Sequence, residues 1–372
     1  MTAGRMRISG RQIFWIIVCA ETSPMESVLL TPLFQAAKQD AWISMAIGGL
    51  AGLLITFLIV RTSLLYPKQT IVEYAQTILG KWIGKLLVIP YLVMALLGLG
   101  VILRQFGDFI HMALFELTPL WAVIVGFLLM CVYLTYAGGI EGIGRSAEII
   151  GPIVIFAVLL VKVLNFSSLD IHLVRPIYWD SGWRQILLGS LATMSFVGES
   201  VIMLVLVPFV SQPNRCMSYA MWGQTVSFVL VTGSVFLVTS IFGPNLAGRL
   251  LYPAFEMAGF ISIADFLQNV ESVVVVIWIF GYFIEVSVFL FVTCYSLGQW
   301  FHVKDWRKTI WPVAVILFIL AVIPKTLSTA TIEAPKTKWT LIGIFINIVI
   351  IPLLIYIVGY CQRKFKTSVK MS

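Results

Sequence analysis

The chain alternates between long apolar blocks and short polar connections. Ala41 to Val60, Trp121 to Ala137, Met217 to Phe242 and Leu341 to Val358 run almost without charge. Each approaches the roughly 20 residues that cross a bilayer core. A surface helix of a soluble domain repeats a polar face every turn, and these blocks do not. The pattern predicts an all-α integral membrane protein with about ten transmembrane helices. They fall near 13–35, 41–60, 86–106, 118–137, 149–166, 186–209, 217–242, 273–298, 309–324 and 339–361.

Two connections carry patterns of their own. Ile71, Val72, Ala75, Ile78, Leu79 and Trp82 recur at helical spacing among Lys68, Glu73 and Lys81, which predicts an interfacial amphipathic helix. Leu250, Phe255, Phe260, Ile263 and Phe266, beside Glu256 and Asp265, do the same between spans seven and eight. The two connections share a string: Leu64-Leu65-Tyr66-Pro67 and Leu250-Leu251-Tyr252-Pro253. One follows span two and the other span seven. The expectation is a single membrane domain, 1–372, built from two inverted five-helix repeats, 13–166 and 186–361. Inverted repeats are a common transporter plan.

Composition sharpens this picture. Hydrophobic residues make up 60% of the chain and charged residues 11%, against about 25% charged in ordinary soluble domains. The net charge of +8 follows topology and does not suggest nucleic acid. Of the 25 Lys and Arg, 16 lie on the side of the N-terminus, eight on the other side, and Lys162 lies within a span. The positive-inside rule then places both termini in the cytoplasm. Arg5, Arg7 and Arg11 precede the first apolar stretch. Because no small-residue cleavage site follows, that stretch reads as the first span and not as a removed leader. The five cysteines and three histidines are scattered, so neither disulfides nor a metal site is expected, and no cofactor motif appears.

The candidate chemistry lies in polar residues that interrupt apolar spans. In span one, Glu21, Thr22, Ser23, Met25, Glu26 and Ser27 surround Pro24, which cannot donate a helical hydrogen bond. In span six, Phe196, Gly198, Glu199 and Ser200 form the corresponding break. Tyr282 and Glu285 lie in span eight. A mid-membrane carboxyl costs roughly 2.5–3.5 kcal/mol on insertion scales. Glu21, Glu26, Glu199 and Glu285 therefore predict a cavity between spans one, six and eight that receives a small zwitterion or a coupling cation. Protonated or internally bonded structural groups are the plainer reading. Lys162 is a candidate stand-in for a coupling cation, making any site proton-coupled; snorkelling to the outer interface is the simpler expectation. Gly139-Ile140-Glu141-Gly142-Ile143-Gly144 lacks the spacing of a phosphate loop and reads as a tight turn between spans four and five. Gly48, Gly49 and Gly52 predict a close helix-packing face.

Several motifs together carry a family resemblance. Ile8-Ser9-Gly10-Arg11-Gln12, Ala36-Ala37-Lys38-Gln39-Asp40-Ala41-Trp42, Tyr66-Pro67, Gly139 to Arg145 with Glu148, and Leu251-Tyr252-Pro253 occur in order along the whole chain. The chain resembles the spore germination permease family. These are the B subunits of germinant receptors, within the amino acid/polyamine/organocation transporter superfamily. The resemblance implies the LeuT-like fold with broken helices one and six. It also implies a place in the inner membrane of an endospore, where the subunit senses a small nutrient such as an amino acid and triggers germination. A-type and lipoprotein C-type subunits are the implied partners, together with membrane lipid. One departure concerns the superfamily's Gly-x-Gly-like break in span one: Met25 and Ser27 stand at those positions and narrow the pocket. A genuine amino-acid or cation permease is the alternative reading. A subunit whose site has decayed is another. An enzyme would have to rest on the buried carboxyls alone, since no nucleophile or metal motif accompanies them.

Overall fold

The computed structural model describes residues 6–178, 181–261, 271–324 and 338–371. Within these residues the chain is helical from end to end, with one isolated β-bridge between Ile8 and Val210. The helices are α1 (Gly10–Pro24), α2 (Leu30–Ala37), α3 (Ala41–Leu65), α4 (Ile71–Leu79), α5 (Lys81–Ala113), α6 (Leu120–Leu164) and α7 (Gly182–Val197). They continue with α8 (Met203–Leu206), α9 (Pro213–Ala247), α10 (Pro253–Gly259), α11 (Glu271–Trp300), α12 (Ile310–Val322), α13 (Lys338–Phe345) and α14 (Ile351–Met371).

Seven helical stretches among the described residues are long and apolar enough to cross a membrane. Two of these are composite. The stretch Gly10–Leu65 is interrupted at Lys38, whose φ of 48° is not helical. The helix α6 spans 45 residues, or about 68 Å at 1.5 Å per residue, twice the thickness of a bilayer core. It is divided at Gly139, where φ is 53° and ψ −155°, backbone that only glycine adopts readily. The turn expected over Gly139 to Gly144 is therefore confined to Gly139: Ile140 onward is already helical. Gly139 supplies the whole break, so the following helix resumes at Ile140 without further loop residues.

The amphipathic helix after α3 is present as α4. Thr70 caps it: the Thr70 amide donates to Glu73 Oε2 at 3.1 Å in a reciprocal capping box. Its apolar side is buried through Ile71, Val72, Ala75 and Ile78. Trp82 belongs instead to α5, beyond the positive-φ Gly80, and is 78% exposed. The second amphipathic segment begins as α10; Ile263, Asp265 and Phe266 lie outside the described residues.

The small-residue face of α3 packs as expected. A Cβ on Gly48 would lie 2.4 Å from Thr193 of α7, and one on Gly49 would lie 2.7 Å from Phe228 of α9. Larger residues would force these helices apart. Leu54, Tyr133 and Phe156 point outward and are exposed, as lipid-facing positions should be.

The N-terminal segment fastens one end of this bundle. The Ile8 amide donates to Phe209 O and the Ser211 amide to Ile8 O, both at 2.9 Å. Ser9 and Gln12 form a capping box at the start of α1. The Arg7 amide donates to Glu141 Oε1 at 2.7 Å, and the Arg11 guanidinium pairs with Glu148 at 2.7 Å. The motif residues Ile8 to Gln12, Glu141 and Glu148 thus belong to one clasp joining α1, the second half of α6 and the chain that follows span six.

Candidate functional site

Both interruptions fall where the polar residues predicted them, yet they take different forms. In span one, Pro24 closes α1 and the next turn, Met25–Leu29, is a π-helix. The Met25 amide still donates to Glu21 O and Thr22 O, and Leu30 resumes α-helical backbone. The helix is widened but not unwound. In span six, α7 ends at Val197 and Gly198–Ile202 forms a 3₁₀ turn, followed by the single α turn Met203–Leu206 and a second 3₁₀ turn, Val207–Phe209. That first turn packs against both α1 and α11. A Cβ on Gly198 would lie 2.9 Å from Ile348, so the close approach of the last span requires glycine.

The four predicted carboxyls divide into two groups. Glu21, Glu199 and Glu285 form one. Glu21 and Glu285 are 1% and 0% exposed; both Glu285 oxygens and Glu199 Oε2 lack a hydrogen-bond partner among the described residues, and Glu21 has the Gln224 side chain as its neighbouring donor. Glu199 sits between the other two, within electrostatic range of each. Gln224 of α9 lies beside Glu21, with its Oε1 accepting from Thr56 at 3.1 Å. Tyr282 faces Glu285 and Glu199, and its hydroxyl is 2.7 Å from Ser27 Oγ. Ser27 Oγ also lies 3.1 Å from Pro24 O, and either hydroxyl can donate in the Ser27–Tyr282 contact.

Glu26 forms the other group, on a different side of span one. Its Oε1 accepts from Ser234 at 2.5 Å and lies 3.8 Å from Lys162 Nζ. Lys162 also donates to Leu230 O of α9, and its side chain is 13% exposed. The snorkelling expectation is therefore overturned: the ammonium turns inward to span one and span seven, because Glu26 offers it a charge that the interface does not. Beside this pair is a cavity of about 20 Å³ lined by Glu26, Ser234, Val161 and Trp278, room for about one water molecule.

The remaining predicted residues scatter around these groups. Thr22 donates to Ser227 of α9 at 3.2 Å and is turned to span seven. Ser23 Oγ lies against Gly281, where a Cβ would clash with it. Met25 is fully enclosed. Phe196 is half-buried, and Ser200 Oγ is enclosed without a partner among the described residues. Among the described residues no His, Cys, Asp and Glu converge closely enough to hold a metal ion.

Span seven is the contributor that sequence reading missed. Gln224, Ser227, Leu230 O and Ser234 all reach span one or Lys162. The signal existed, since Gln224, Ser227 and Ser234 stand three and seven residues apart, a polar stripe along one helix face.

Comparison with known proteins identifies the family and the fold. The family pattern described as spore germination protein matches residues 7–330. The chain belongs to the spore germination protein family. Spore germination protein KB of Bacillus subtilis (strain 168) is 25% identical over 375 aligned residues, covering 98% of each chain. Spore germination protein YndE of the same strain is 28% identical, covering 78% of this chain and 80% of the relative. Among solved structures, MhsT in complex with L-phenylalanine superposes with a TM-score of 0.66 at 14% identity, covering 96% of this chain and 89% of that one. The nucleobase-cation-symport-1 family transporter Mhp1 gives 0.64, covering 87% and 74%. At such identities the likeness establishes the fold: this germination protein has the architecture of the LeuT-like transporters. The family is that of spore germination proteins, the fold is the LeuT-like one, and the chain is a multi-pass membrane protein.

Proposed function

We propose that this chain is the ligand-sensing membrane subunit of a spore germinant receptor, residing in the inner membrane of the endospore with both termini in the cytoplasm. A small nutrient of the amino-acid class binds between spans one, six and eight and favours one conformation of the bundle. A-type and lipoprotein C-type subunits read that shift and trigger germination. A ligand moves such an equilibrium only by its differential affinity for the two states. The observation that carries this reading is the convergence of Glu21, Glu199 and Glu285 where the irregular turns of spans one and six meet α11.

The architecture in this reading is about ten passages in two inverted repeats, 13–166 and 186–361. The repeated string supports it. Tyr66 and Tyr252 precede their prolines with nearly the same backbone, φ/ψ −131°/68° and −134°/75°. A short amphipathic helix follows each.

The test is thermal stabilisation of the purified protein by amino acids, sugars, nucleosides and cations, with Glu199→Gln alongside. Stabilisation by one nutrient, lost in the variant, supports the reading. A folded protein that responds to none sinks it. A genuine permease is the second reading, favoured by the near full-length match to solved transporters. Accumulation of labelled substrate in vesicles without partner subunits would select it.

A further inference from the structure

We infer that the groove between α4, the start of α5 and the end of α11 holds the phosphate of an anionic phospholipid headgroup. This is independent of whatever binds between spans one, six and eight.

The first argument is the cavity and its charge. A cavity of about 630 Å³ lies there, lined by Gln76 and Thr77 of α4, Lys81 of α5, and Gln299, His302 and Lys304. Sites for small ligands are commonly ~300–1,000 Å³. Neither Lys81 nor Lys304 is paired with an acid among the described residues. Glu73 also lines the cavity, but its Oε2 is held by the Thr70 amide at 3.1 Å. In the framing segments 68–85 and 299–308, six Lys and Arg stand against Glu73 and Asp305. Asp305 is likewise occupied, accepting from the Arg307 amide at 3.1 Å. A concave site with unspent positive charge concentrates anions.

The second argument concerns donors. Gln299 is 6% exposed. Its Oε1 accepts from Thr70, and its Nε2 donates to no described residue. The fixed amide therefore offers its N–H groups to the cavity that it lines. Helix α5 begins at Lys81 without a side-chain cap on its first amides, and such a helix start favours phosphate. On the opposite wall, carbonyls at the end of α11 already accept hydrogen bonds. The His302 amide donates to Gln299 O at 3.2 Å and the Val303 amide to Gly298 O at 2.8 Å.

The third argument is the conformation of His302. Those two bonds form the helix-ending motif whose left-handed residue is ordinarily glycine. Here that residue is His302, with φ 56°, and it lines the cavity. Glycine would end α11 with less strain, so the needs of the helix end do not explain an imidazole at this position.

The fourth argument selects a lipid over a soluble anion. Trp82, Ile83 and Leu86 follow Lys81 and are exposed, as is Phe301 beside His302. Trp300 joins the two walls: its Nε1 donates to Lys85 O at 3.2 Å, and Lys85 Nζ lies 4.5 Å from its ring centroid. Exposed aromatics mark the headgroup level of a bilayer. Basic pockets between spans at that level take anionic headgroups.

The experiment is native mass spectrometry of the purified full chain in detergent. The probes are phosphatidylglycerol, phosphatidylcholine, glycerol 3-phosphate, inorganic phosphate and a hexaglutamate peptide. Phosphatidylglycerol should bind at least about tenfold tighter than phosphatidylcholine, and Lys81→Gln with Lys304→Gln should weaken it about tenfold or more, each basic residue near such a headgroup contributing about fivefold. His302→Gly should also weaken it, with the thermal midpoint unchanged or raised. Lys308→Gln removes the same charge from an exposed position outside the cavity and should bind as the parent does. Circular dichroism establishes folding, and Lys304→Gln alone, at an exposed position, serves if the double variant does not fold. Equal binding of phosphatidylcholine overturns the inference, as does an equal loss in Lys308→Gln. Glycerol 3-phosphate or inorganic phosphate displacing the lipid at matched concentration would make this a site for a free anion and overturn the lipid assignment. Hexaglutamate binding tighter than phosphatidylglycerol would make it a site for an acidic protein partner and overturn it too.

Discussion

Glu26 and Glu285 are both buried carboxyls of membrane helices, yet the protein treats them in opposite ways. Glu26 has a hydroxyl at 2.5 Å and an ammonium at 3.8 Å; Glu285 has no hydrogen bond to either oxygen among the described residues. The first arrangement is complete within the chain, so it serves the bundle. The second lacks a partner among the described residues, and in the function proposed above a ligand or a proton completes it. Burial by itself does not mark a functional acid, and what separates the two is whether the fold provides the counter-charge.

That contrast can be broken in stages. Lys162→Met should have the largest effect, because it leaves buried Glu26 with only the Ser234 hydroxyl and no counter-charge; losing one partner of a buried pair costs about 3–5 kcal/mol. Thermal unfolding in detergent should show a marked drop in midpoint. Adding Glu26→Gln should recover a large part of the loss, a coupling of about 1–3 kcal/mol in a double-mutant cycle. Independent losses that simply add would mean that the pair is not an energetic unit. Glu285→Gln should behave in the opposite sense. Removing an unpartnered carboxyl should leave stability unchanged or raise it by about 1 kcal/mol, while germination in response to nutrient is lost. A Glu285→Gln protein that unfolds would place Glu285 among the structural acids. Tyr282→Phe is the smallest perturbation. It removes one hydrogen bond to Ser27, worth about 0.5–1.5 kcal/mol, and should shift ligand affinity more than midpoint temperature.

Much of the fold was legible in the sequence because membrane insertion writes it in composition. The apolar blocks, the amphipathic α4 and the glycine face of α3 each follow from a local pattern with one physical solution. The positions of the irregular turns were legible too, since Pro24 and Gly198 have few other uses inside a span. Their form was not. Whether Pro24 unwinds a helix or widens it depends on which carbonyls neighbouring spans leave available, and that is tertiary information. Lys162 was misjudged for a similar reason. Its distance from a span end suggested an interface, whereas the deciding fact, a carboxyl 136 positions away in sequence, became visible only in three dimensions. The polar stripe of span seven was present throughout, but three small polar residues in an apolar helix carry little weight until the helix they face is known.

The π turn in span one has a consequence for how this chain tolerates change in length. Such a turn holds one residue more than the α-helical turn it replaces, which sets the two ends of the span out of phase by about 100°. Glu21, before the turn, faces span six; Glu26, within it, faces Lys162. Deleting one residue from Met25–Leu29 would restore a regular helix and swing everything upstream by a third of a turn relative to everything downstream. Glu21 would leave the acid cluster although no residue at the cluster had been altered. In this span a single-residue deletion is a rotation, and its effect should exceed that of most substitutions at the same positions.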